Sequence, residues 1–155
     1  MSLRDLALKG SGKKAKIGLR RGRILTVKEI KRIRKRGYRA ERELVQRLRA
    51  MGFKAVRVPV SAPSSEPLPD VFATKARNIL AFEVKAPNAD RAYFRRDQVE
   101  KLVAFLGMFE AYERKFVVLV GKFPYRWVFK HVQEAGDYVL RIDEKSNIQL
   151  DSLES

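Results

Sequence analysis

Two segments of the chain carry apolar residues at helical spacing. The segment YRAERELVQRLRAMGF contains a stripe formed by Leu44, Val45, Leu48 and Met51. The segment DQVEKLVAFLGMFEAY contains a stripe formed by Val99, Leu102, Val103, Leu106 and Phe109. Residues three and four apart share one face of a helix, so each segment predicts an amphipathic helix with one buried face. Gly52 stands where a C-terminal cap of the first helix would fall.

Between and after these helices the pattern changes to that of strands. KAVRVPV alternates, with Val56, Val58 and Val60 on one face and Arg57 on the other. KFVVLVG is a continuous apolar run with β-branched residues, which is typical of a buried central strand. Further segments with strand character are DVFAT, ILAFEVK, YRWVFKHV and DYVLRID. The order of helix, three strands, helix and further strands predicts an α/β fold, a mixed central β-sheet flanked by helices.

DVFAT and ILAFEVK are separated only by the turn KARN, so they predict a β-hairpin. If the turn is centred between Ala76 and Arg77, the numbers of paired residues sum to 153. Asp70 then faces Glu83 on one side of the hairpin, with their β-carbons about 5 Å apart. Lys85 lies on the same face, one step further along the strand.

Two directly opposed carboxylates destabilise a sheet unless a cation neutralises them or one of them stays protonated. Hard oxygen ligands on rigid strands suit Mg²⁺, which commonly takes one or two carboxylates and keeps several waters. The backbone carbonyl of Val84 is a further candidate ligand. Lys85 is placed to hold a phosphate oxygen, to orient a water or to stabilise charge in a transition state. The spacing alone leaves open a solvated hairpin face that carries scattered charges.

Glu41 is a third candidate carboxylate. It precedes Leu44 and Val45 by three and four residues, on the side of the apolar stripe at its N-terminal end. A carboxylate near the start of a helix also complements the helix dipole, which leaves a purely structural role open.

The charge of the chain points to a polyanionic partner. The 155 residues carry a formal net charge of +16, and residues 1–36 hold fourteen Lys or Arg against Asp5 and Glu29 only. Nucleic acid is the commonest polyanion, and a basic arm binds its phosphates. We interpret residues 1–24 as a mobile basic arm, with a solubility tail as the alternative. ILTVKEIKRIRKR could form a short helix with Thr26 as its N-cap.

The composition argues against several other classes of protein, namely disulfide-bonded, thiol-dependent, secreted and membrane proteins. The chain has no cysteine and one histidine, His131, which argues against disulfide frameworks, thiol nucleophiles and Cys- or His-rich metal sites. We expect neither a secretory signal nor a spanning helix, since no apolar run approaches roughly 20 residues. The basic region also lacks the large apolar residues of membrane-surface helices. We therefore expect a cytoplasmic protein associated with the nucleoid and no membrane partner.

Pro69-Asp70, twelve intervening residues and then Glu83-Val84-Lys85 resemble the signature of the PD-(D/E)xK nuclease superfamily. GYRAERELVQRL, then GFKAVRV, PD and FEVK, more narrowly resemble the archaeal Holliday junction resolvases. The resemblance covers about residues 37 to 131. The proline-rich loop between Arg57 and Asp70 is longer than expected of that family, and the basic extension lies outside its common core.

The resemblance implies a restriction-endonuclease-like core and a homodimer that resolves four-way DNA junctions by paired phosphodiester hydrolysis. The cofactor implied is Mg²⁺, with Mn²⁺ as a substitute. The catalytic residues implied are Glu41, Asp70, Glu83 and Lys85. The metal ligands implied are Asp70, Glu83, the Val84 carbonyl and, as a further candidate, Glu41. DNA contacts are expected from Arg42, Arg57, Lys122 on the loop after the central strand, and loop serines such as Ser61 and Ser64. Phe105 and Phe109 match a family pair and are expected at the dimer interface or on DNA.

The domain organisation expected is a basic, partly disordered extension (1–36), a nuclease domain (37–145) and a C-terminal tail (146–155). Two alternatives remain open from the sequence. One is another PD-(D/E)xK nuclease of repair or restriction type, which would prefer linear duplex, flaps or a sequence. The other is a non-catalytic architectural protein that binds DNA by charge and shape. Partner proteins of recombination are possible and unidentified.

Overall fold

The computed structural model describes the backbone of residues 15–16 and all of residues 24–59 and 65–153. The predicted mobile arm of residues 1–24 thus lies almost entirely outside the described residues. Ser61 and Ser64, the serines expected to contact DNA, also lie outside them. The chain divides into two compact units, Met1–Arg36 and Gly37–Ser155.

The described elements comprise two α-helices, nine strands and one short 3₁₀ helix. The helices are α1 (Val27–Ala50), α2 (Arg96–Gly107) and the 3₁₀ helix Leu150–Ser152. The strands are β1 (Ala15–Lys16), β2 (Ile24–Leu25), β3 (Lys54–Arg57), β4 (Val71–Lys75), β5 (Asn78–Lys85), β6 (Arg91–Phe94), β7 (Arg114–Phe123), β8 (Arg126–Val132) and β9 (Tyr138–Arg141). The expected class, a mixed central sheet flanked by helices, is confirmed.

Helix α1 joins two segments that the sequence predicts as separate helices. Its start is a capping box, in which the Glu29 amide donates to Thr26 Oγ1 (3.2 Å) and the Thr26 amide donates to Glu29 Oε2 (2.7 Å). Gly37 does not interrupt it, because one glycine costs only about 1 kcal/mol relative to alanine in a helix. The helix ends at Ala50, and Gly52, the predicted C-terminal cap, has a φ of 89° in the left-handed region. The Phe53 amide then donates to the Leu48 carbonyl (3.0 Å), as in a Schellman motif.

Five strands form the main sheet in the order β3-β4-β5-β7-β8. β5 and β7 run parallel, and the other neighbouring strands are antiparallel. The predicted hairpin is confirmed with its register, since Thr74 pairs with Ile79 and Lys75 pairs with Asn78. β7 is a buried interior strand, as its apolar run indicated. The register and the parallel β5–β7 pair place the ends of β5 and β7 side by side.

The two faces of β5 belong to two different apolar cores. Leu80, Phe82 and Val84 pack with Leu44 and Leu48 of α1. The opposite face packs with α2 through the set Ile79, Ala81, Val99, Leu102, Phe105 and Leu106. Glu83 and Lys85 continue this second face, because strand side chains alternate.

Two expectations about α2 are wrong. The helix ends at Gly107, so Phe109 lies beyond it rather than on its stripe. Phe105 is buried and Val103 is 46% exposed, the reverse of the expected stripe. Phe105 lies three residues after Leu102 and therefore shares its face, while Val103 is rotated toward solvent.

The bounds of two strands and the packing of the C-terminal segment differ from what the sequence predicts. β6, only four residues long, was not predicted, and it pairs with β9 in a separate two-stranded sheet. β3 ends at Arg57 rather than continuing through KAVRVPV. Residues 146 and 147 hydrogen-bond to β8, where Ser146 Oγ accepts from the Phe129 amide (2.9 Å), and Leu150 is buried. Among the residues that the structure describes, no helix combines the length and the apolar character needed to cross a bilayer.

Candidate active site

Asp70 and Glu83 meet at the end of the β4–β5 hairpin. Val71 pairs with Phe82, and the Asp70 amide donates to the Phe82 carbonyl (3.0 Å), so the register places Asp70 opposite Glu83. Asp70 Oδ2 also accepts a hydrogen bond from the Val84 amide (2.8 Å). Lys85 Nζ lies 3.9 Å from Glu83 Oε1. The two carboxylates and the lysine thus share one corner of the sheet.

Glu41 reaches the same corner from α1. Its side chain is largely buried and accepts a hydrogen bond from Arg57 Nε (2.5 Å). The Arg57 guanidinium also lies over the ring of Tyr38, 4.5 Å from its centroid. This arrangement fixes Arg57 between the helix and β3, and it holds Glu41 with a charge-assisted hydrogen bond.

The surroundings of the corner raise the pKa values of its three carboxyl groups. Burial, together with the nearby Asp70 and Glu41, raises the pKa of Glu83 to about 8 against the opposing charges of Lys85 and Lys101. Burial also raises the pKa of Asp70, against the Val84 amide and the charges of Lys85 and Arg57. Burial and the nearby Asp70 raise the pKa of Glu41, against Arg57. Such mutual repulsion between buried carboxylates is relieved by a bound cation.

The donor set fits a hard divalent cation. Asp70 and Glu83 offer carboxylate oxygens on adjacent strands, which matches the one or two carboxylates that Mg²⁺ usually takes with waters completing its shell. Glu41 is already engaged with Arg57. Within residues 24–59 and 65–153, no three side chains of His, Cys, Asp or Glu converge closely enough to form a complete protein cage. With Asp70 and Glu83 as the protein ligands, water would complete the coordination shell of such an ion.

Lys101 of α2 was missed by the sequence analysis. Its positive charge acts on the Glu83 carboxyl and lowers the pKa of Glu83, although burial and Asp70 outweigh it. Its position between the stripe residues Val99 and Leu102, four before Phe105, places it at the edge of the buried face of α2. The helical spacing would have identified Lys101 as a neighbour of the carboxylates only if the sequence had also shown that α2 covers this face of the sheet.

The residues expected to contact DNA lie on several elements. Arg42 is exposed on α1, and its charge lowers the pKa of Glu41. Lys122 belongs to β7 and pairs with Trp127, so its expected position on a loop is wrong; the strand extends to Phe123. Lys122 Nζ lies 3.8 Å from Glu43 Oε2. Nothing in these contacts assigns a DNA-binding role, and those roles stay predictions.

Phe105 and Phe109 belong to an aromatic group with Phe72. The ring centroids of Phe72 and Phe105 are 5.2 Å apart, and those of Phe105 and Phe109 are 5.0 Å apart. Phe72 pairs in register with Val56 of β3, which is 44% exposed. The group therefore extends from the core to an apolar surface at the edge of the sheet.

The mixed sheet with opposed carboxylates and a lysine at one corner defines a nuclease fold of the restriction-endonuclease type. A family model described as "Archaeal holliday junction resolvase (hjc)" matches residues 32–154. The chain belongs to this family.

Relatives and a solved structure agree with that assignment. The chain is 39% identical over 113 residues to "Crossover junction endodeoxyribonuclease Hje" of Saccharolobus islandicus, which covers 73% of this chain and 84% of that protein. It is 38% identical over 115 residues to "Crossover junction endodeoxyribonuclease Hjc" of Archaeoglobus fulgidus, over 72% and 82% of the two chains. The crystal structure of Archaeoglobus fulgidus Hjc, "a Holliday junction resolvase", matches with a TM-score of 0.57 and 31% identity, over 68% of this chain and 88% of that one.

Proposed function

We propose that this protein is a Mg²⁺-dependent endonuclease that resolves four-way DNA junctions by paired phosphodiester hydrolysis as a homodimer. The observation that carries the proposal is the corner at which Asp70, Glu83 and Lys85 lie together on the β4–β5 hairpin. Family membership supports the substrate class, since the relatives are named crossover junction endodeoxyribonucleases. We place its activity in the cytoplasm at the nucleoid, in recombination and repair.

In this proposal Asp70 and Glu83 hold the metal ion, and the Val84 carbonyl and Glu41 are further candidates. When bound, the ion supplies Lewis acidity toward the scissile phosphate. The Lys85 ammonium, 3.9 Å from Glu83, donates hydrogen bonds to a phosphate oxygen or to the attacking water. Its positive charge offsets the extra negative charge of the transition state.

Basic side chains around the corner position the DNA. Arg42 and Lys122 are candidates for phosphate contacts, because each lies near the carboxylate corner or on the strand beside it. Arg57 is held by Glu41, so we assign it a role in orienting Glu41 as well as in facing DNA. The basic arm of residues 1–24 adds contacts with phosphates that do not depend on sequence.

An apolar surface supports the homodimer. Val56, Val103 and Met108 are 44%, 46% and 61% exposed. Val56 pairs with Phe72, and Val103 and Met108 are close in sequence to Phe105 and Phe109, the ring partners of Phe72. Large exposed apolar patches are rare on monomeric proteins, so exposed apolar side chains in this part of the chain are candidates for an interface. A second copy is the occupant that fits, because two symmetry-related strands of a junction require two active sites related by a two-fold axis.

The dimer is tested by Met108→Glu, which places a charge in this surface. Sedimentation equilibrium should show a monomer for this variant and a dimer for the wild type. Val139→Glu, on a half-exposed residue of the separate β6–β9 sheet, is the matched control and should stay dimeric. A Met108→Glu protein that remains a dimer would place the interface elsewhere.

The activity is tested with a synthetic four-way junction and a linear duplex of the same sequence, each with and without Mg²⁺. We expect paired nicks in the junction only when Mg²⁺ is present, and none with Asp70→Asn. Equal cleavage of the linear duplex would favour a repair or restriction nuclease. Junction binding without any cleavage in Mg²⁺ or Mn²⁺ would favour an architectural DNA-binding protein.

A further inference from the structure

The β7–β8 hairpin presents an aromatic side chain to solvent at its tip. Phe123 pairs with Arg126, so Pro124 and Tyr125 form the turn between the strands. Tyr125 is 97% exposed, the largest value among the exposed large apolar or aromatic side chains of the described residues. A tyrosine that buries almost none of its ring contributes little to the stability of its own fold.

The tip lies at the same end of the sheet as the carboxylate corner. β5 and β7 are parallel, and Lys85 pairs with Gly121. The hairpin continues beyond that pair through Phe123 and then turns at Pro124 and Tyr125. At about 3.3 Å per residue, Tyr125 stands roughly 10 Å beyond the level of Lys85 along the strands. A substrate bound at the corner would therefore extend past this tip.

The tip is held in place rather than loosely attached. The Phe123 side chain is fully buried, and a β-carbon at Gly121 would lie 2.7 Å from its ring, so the glycine makes room for it. Arg126 donates a hydrogen bond through Nη2 to the Glu144 carbonyl (2.6 Å). Pro124 has a fixed φ. Fixing the hairpin in this way lowers the entropy that Tyr125 would otherwise give up on binding.

The turn itself does not require a tyrosine. Two-residue hairpin turns favour Asn-Gly, Asp-Gly or Gly-X, because these residues adopt positive φ. Ala76 is the sole non-glycine residue with positive φ in the described part of the chain, so Tyr125 has no such role. Its exposed ring is therefore available for contact with a bound partner.

The surroundings of the tip are basic. Arg126 flanks Tyr125 directly, and Lys122 lies on the strand below, 3.8 Å from Glu43. Arg47 lies over the ring of Trp127, the residue that pairs with Lys122, 5.0 Å from its centroid. An aromatic platform among cations is the arrangement that binds exposed bases by stacking while the cations bind the phosphates.

We propose that Tyr125 stacks on an exposed base at the branch point of the DNA and so contributes to selection of branched over linear duplex. The proposal rests on the proposed function as a DNA-junction nuclease. Inside a continuous duplex every base is covered by its neighbours, whereas a branch point or a single-stranded end presents a free base face. A stacking residue therefore separates these substrates, which phosphate contacts alone do not.

The test compares wild type with Tyr125→Ala, Tyr125→Leu and Tyr125→Phe in their affinity for a four-way junction and a linear duplex. We expect Tyr125→Ala and Tyr125→Leu to lose about tenfold in affinity for the junction and nothing for the duplex, and Tyr125→Phe to behave as wild type. The matched control is Tyr93→Ala, which removes a half-exposed tyrosine from the β6–β9 sheet and should leave the junction affinity unchanged.

A second measurement reads stacking directly. 2-Aminopurine placed at the branch point, or at the end of a single-stranded tail on a duplex, should be quenched by wild type and by Tyr125→Phe but not by Tyr125→Ala. The tailed duplex keeps this test independent of junction resolution. If the wild-type protein quenches the fluorescence of the tail but cuts no junction, the proposed function is refuted and the stacking role is not. Unchanged junction affinity and quenching in Tyr125→Ala, equal loss on duplex and junction, or a change of oligomeric state would each overturn the stacking role.

Discussion

Glu83→Gln should stabilise the metal-free protein at neutral and alkaline pH, although it is expected to abolish cleavage. Burial and the neighbouring Asp70 and Glu41 raise the pKa of Glu83 from 4.5 to about 8 in the folded protein. Between these two values the unfolded chain has released the proton of Glu83, while the folded chain still holds it. Stability therefore falls as pH rises through this interval, by about 1.4 kcal/mol for each pH unit.

The magnitude follows from the interval. At pH 7 the free energy of unfolding is about 3 kcal/mol lower than it would be if the Glu83 carboxyl titrated normally in the folded protein, and above pH 9 it is about 5 kcal/mol lower. Glutamine keeps the size of glutamate and does not ionise. The variant should therefore lack this loss, and its advantage over wild type should grow from near zero at pH 4.5 to its full value above pH 8.

Urea unfolding at pH 5, 7 and 9, in EDTA, measures this difference. Glu113→Gln is the matched control, because Glu113 is exposed and ion-paired with Arg77 (3.1 Å) at the other end of β5; it should follow wild type at every pH. Mg²⁺ should then stabilise wild type at pH 8 far more than Glu83→Gln, since binding to the folded state alone adds stability. Parallel pH profiles for wild type and Glu83→Gln would refute the reasoning, because they would mean that Glu83 is not held protonated.

Three further predictions concern catalysis, DNA binding and the hairpin turn. Lys85→Met should lose most of the cleavage activity at saturating Mg²⁺ while Mg²⁺ affinity changes little; normal cleavage at high Mg²⁺ would show that Lys85 acts only on the metal site. Deletion of residues 1–24 should weaken binding to junction and duplex equally and flatten the log–log salt dependence by about 0.9 for each phosphate that the arm no longer neutralises; a truncated protein without junction preference would place selectivity in the arm. Ala76→Gly should raise the free energy of unfolding by about 0.5–1 kcal/mol, because Ala76 has a φ of 52° that glycine adopts without strain, and a lower value would contradict this.

The parts of the site that could be predicted are those fixed by local rules. A short turn and strict alternation determine the register of a hairpin, so Asp70 and Glu83 could be placed opposite each other from the sequence. The position of Lys85 on the same face as Glu83 followed from the alternation of side chains along β5. The Gly52 cap was likewise readable, because a glycine after an apolar stripe supplies the left-handed residue that ends a helix.

The parts that could not be predicted depend on packing between distant segments. Arg57 lies sixteen residues from Glu41, and only the packing of α1 against β3 brings the two together. Lys101 approaches Glu83 because α2 covers that face of the sheet. The sequence wrongly predicted Val103 rather than Phe105 on the buried face for the same reason. Both residues lie beside the stripe of α2, and only the packing of the sheet decides which of them is covered.

The basic residues of this chain are widely spread, whereas three of its carboxylates cluster at one corner, which suggests that DNA binding and cleavage depend on different residues. A chain of net charge +16 favours polyanions, yet it gathers the carboxyl groups of Glu41, Asp70 and Glu83 at one corner, where burial and mutual repulsion raise their pKa values. In the proposed enzyme the bound cation would add positive charge to that corner, so that the scissile phosphate is favoured there only when the ion is present. Affinity for DNA is then carried by residues spread over the surface, whereas cleavage depends on a few buried carboxylates. In the proposed enzyme the buried carboxylates therefore lower the stability of the metal-free fold, and the bound cation would offset that cost.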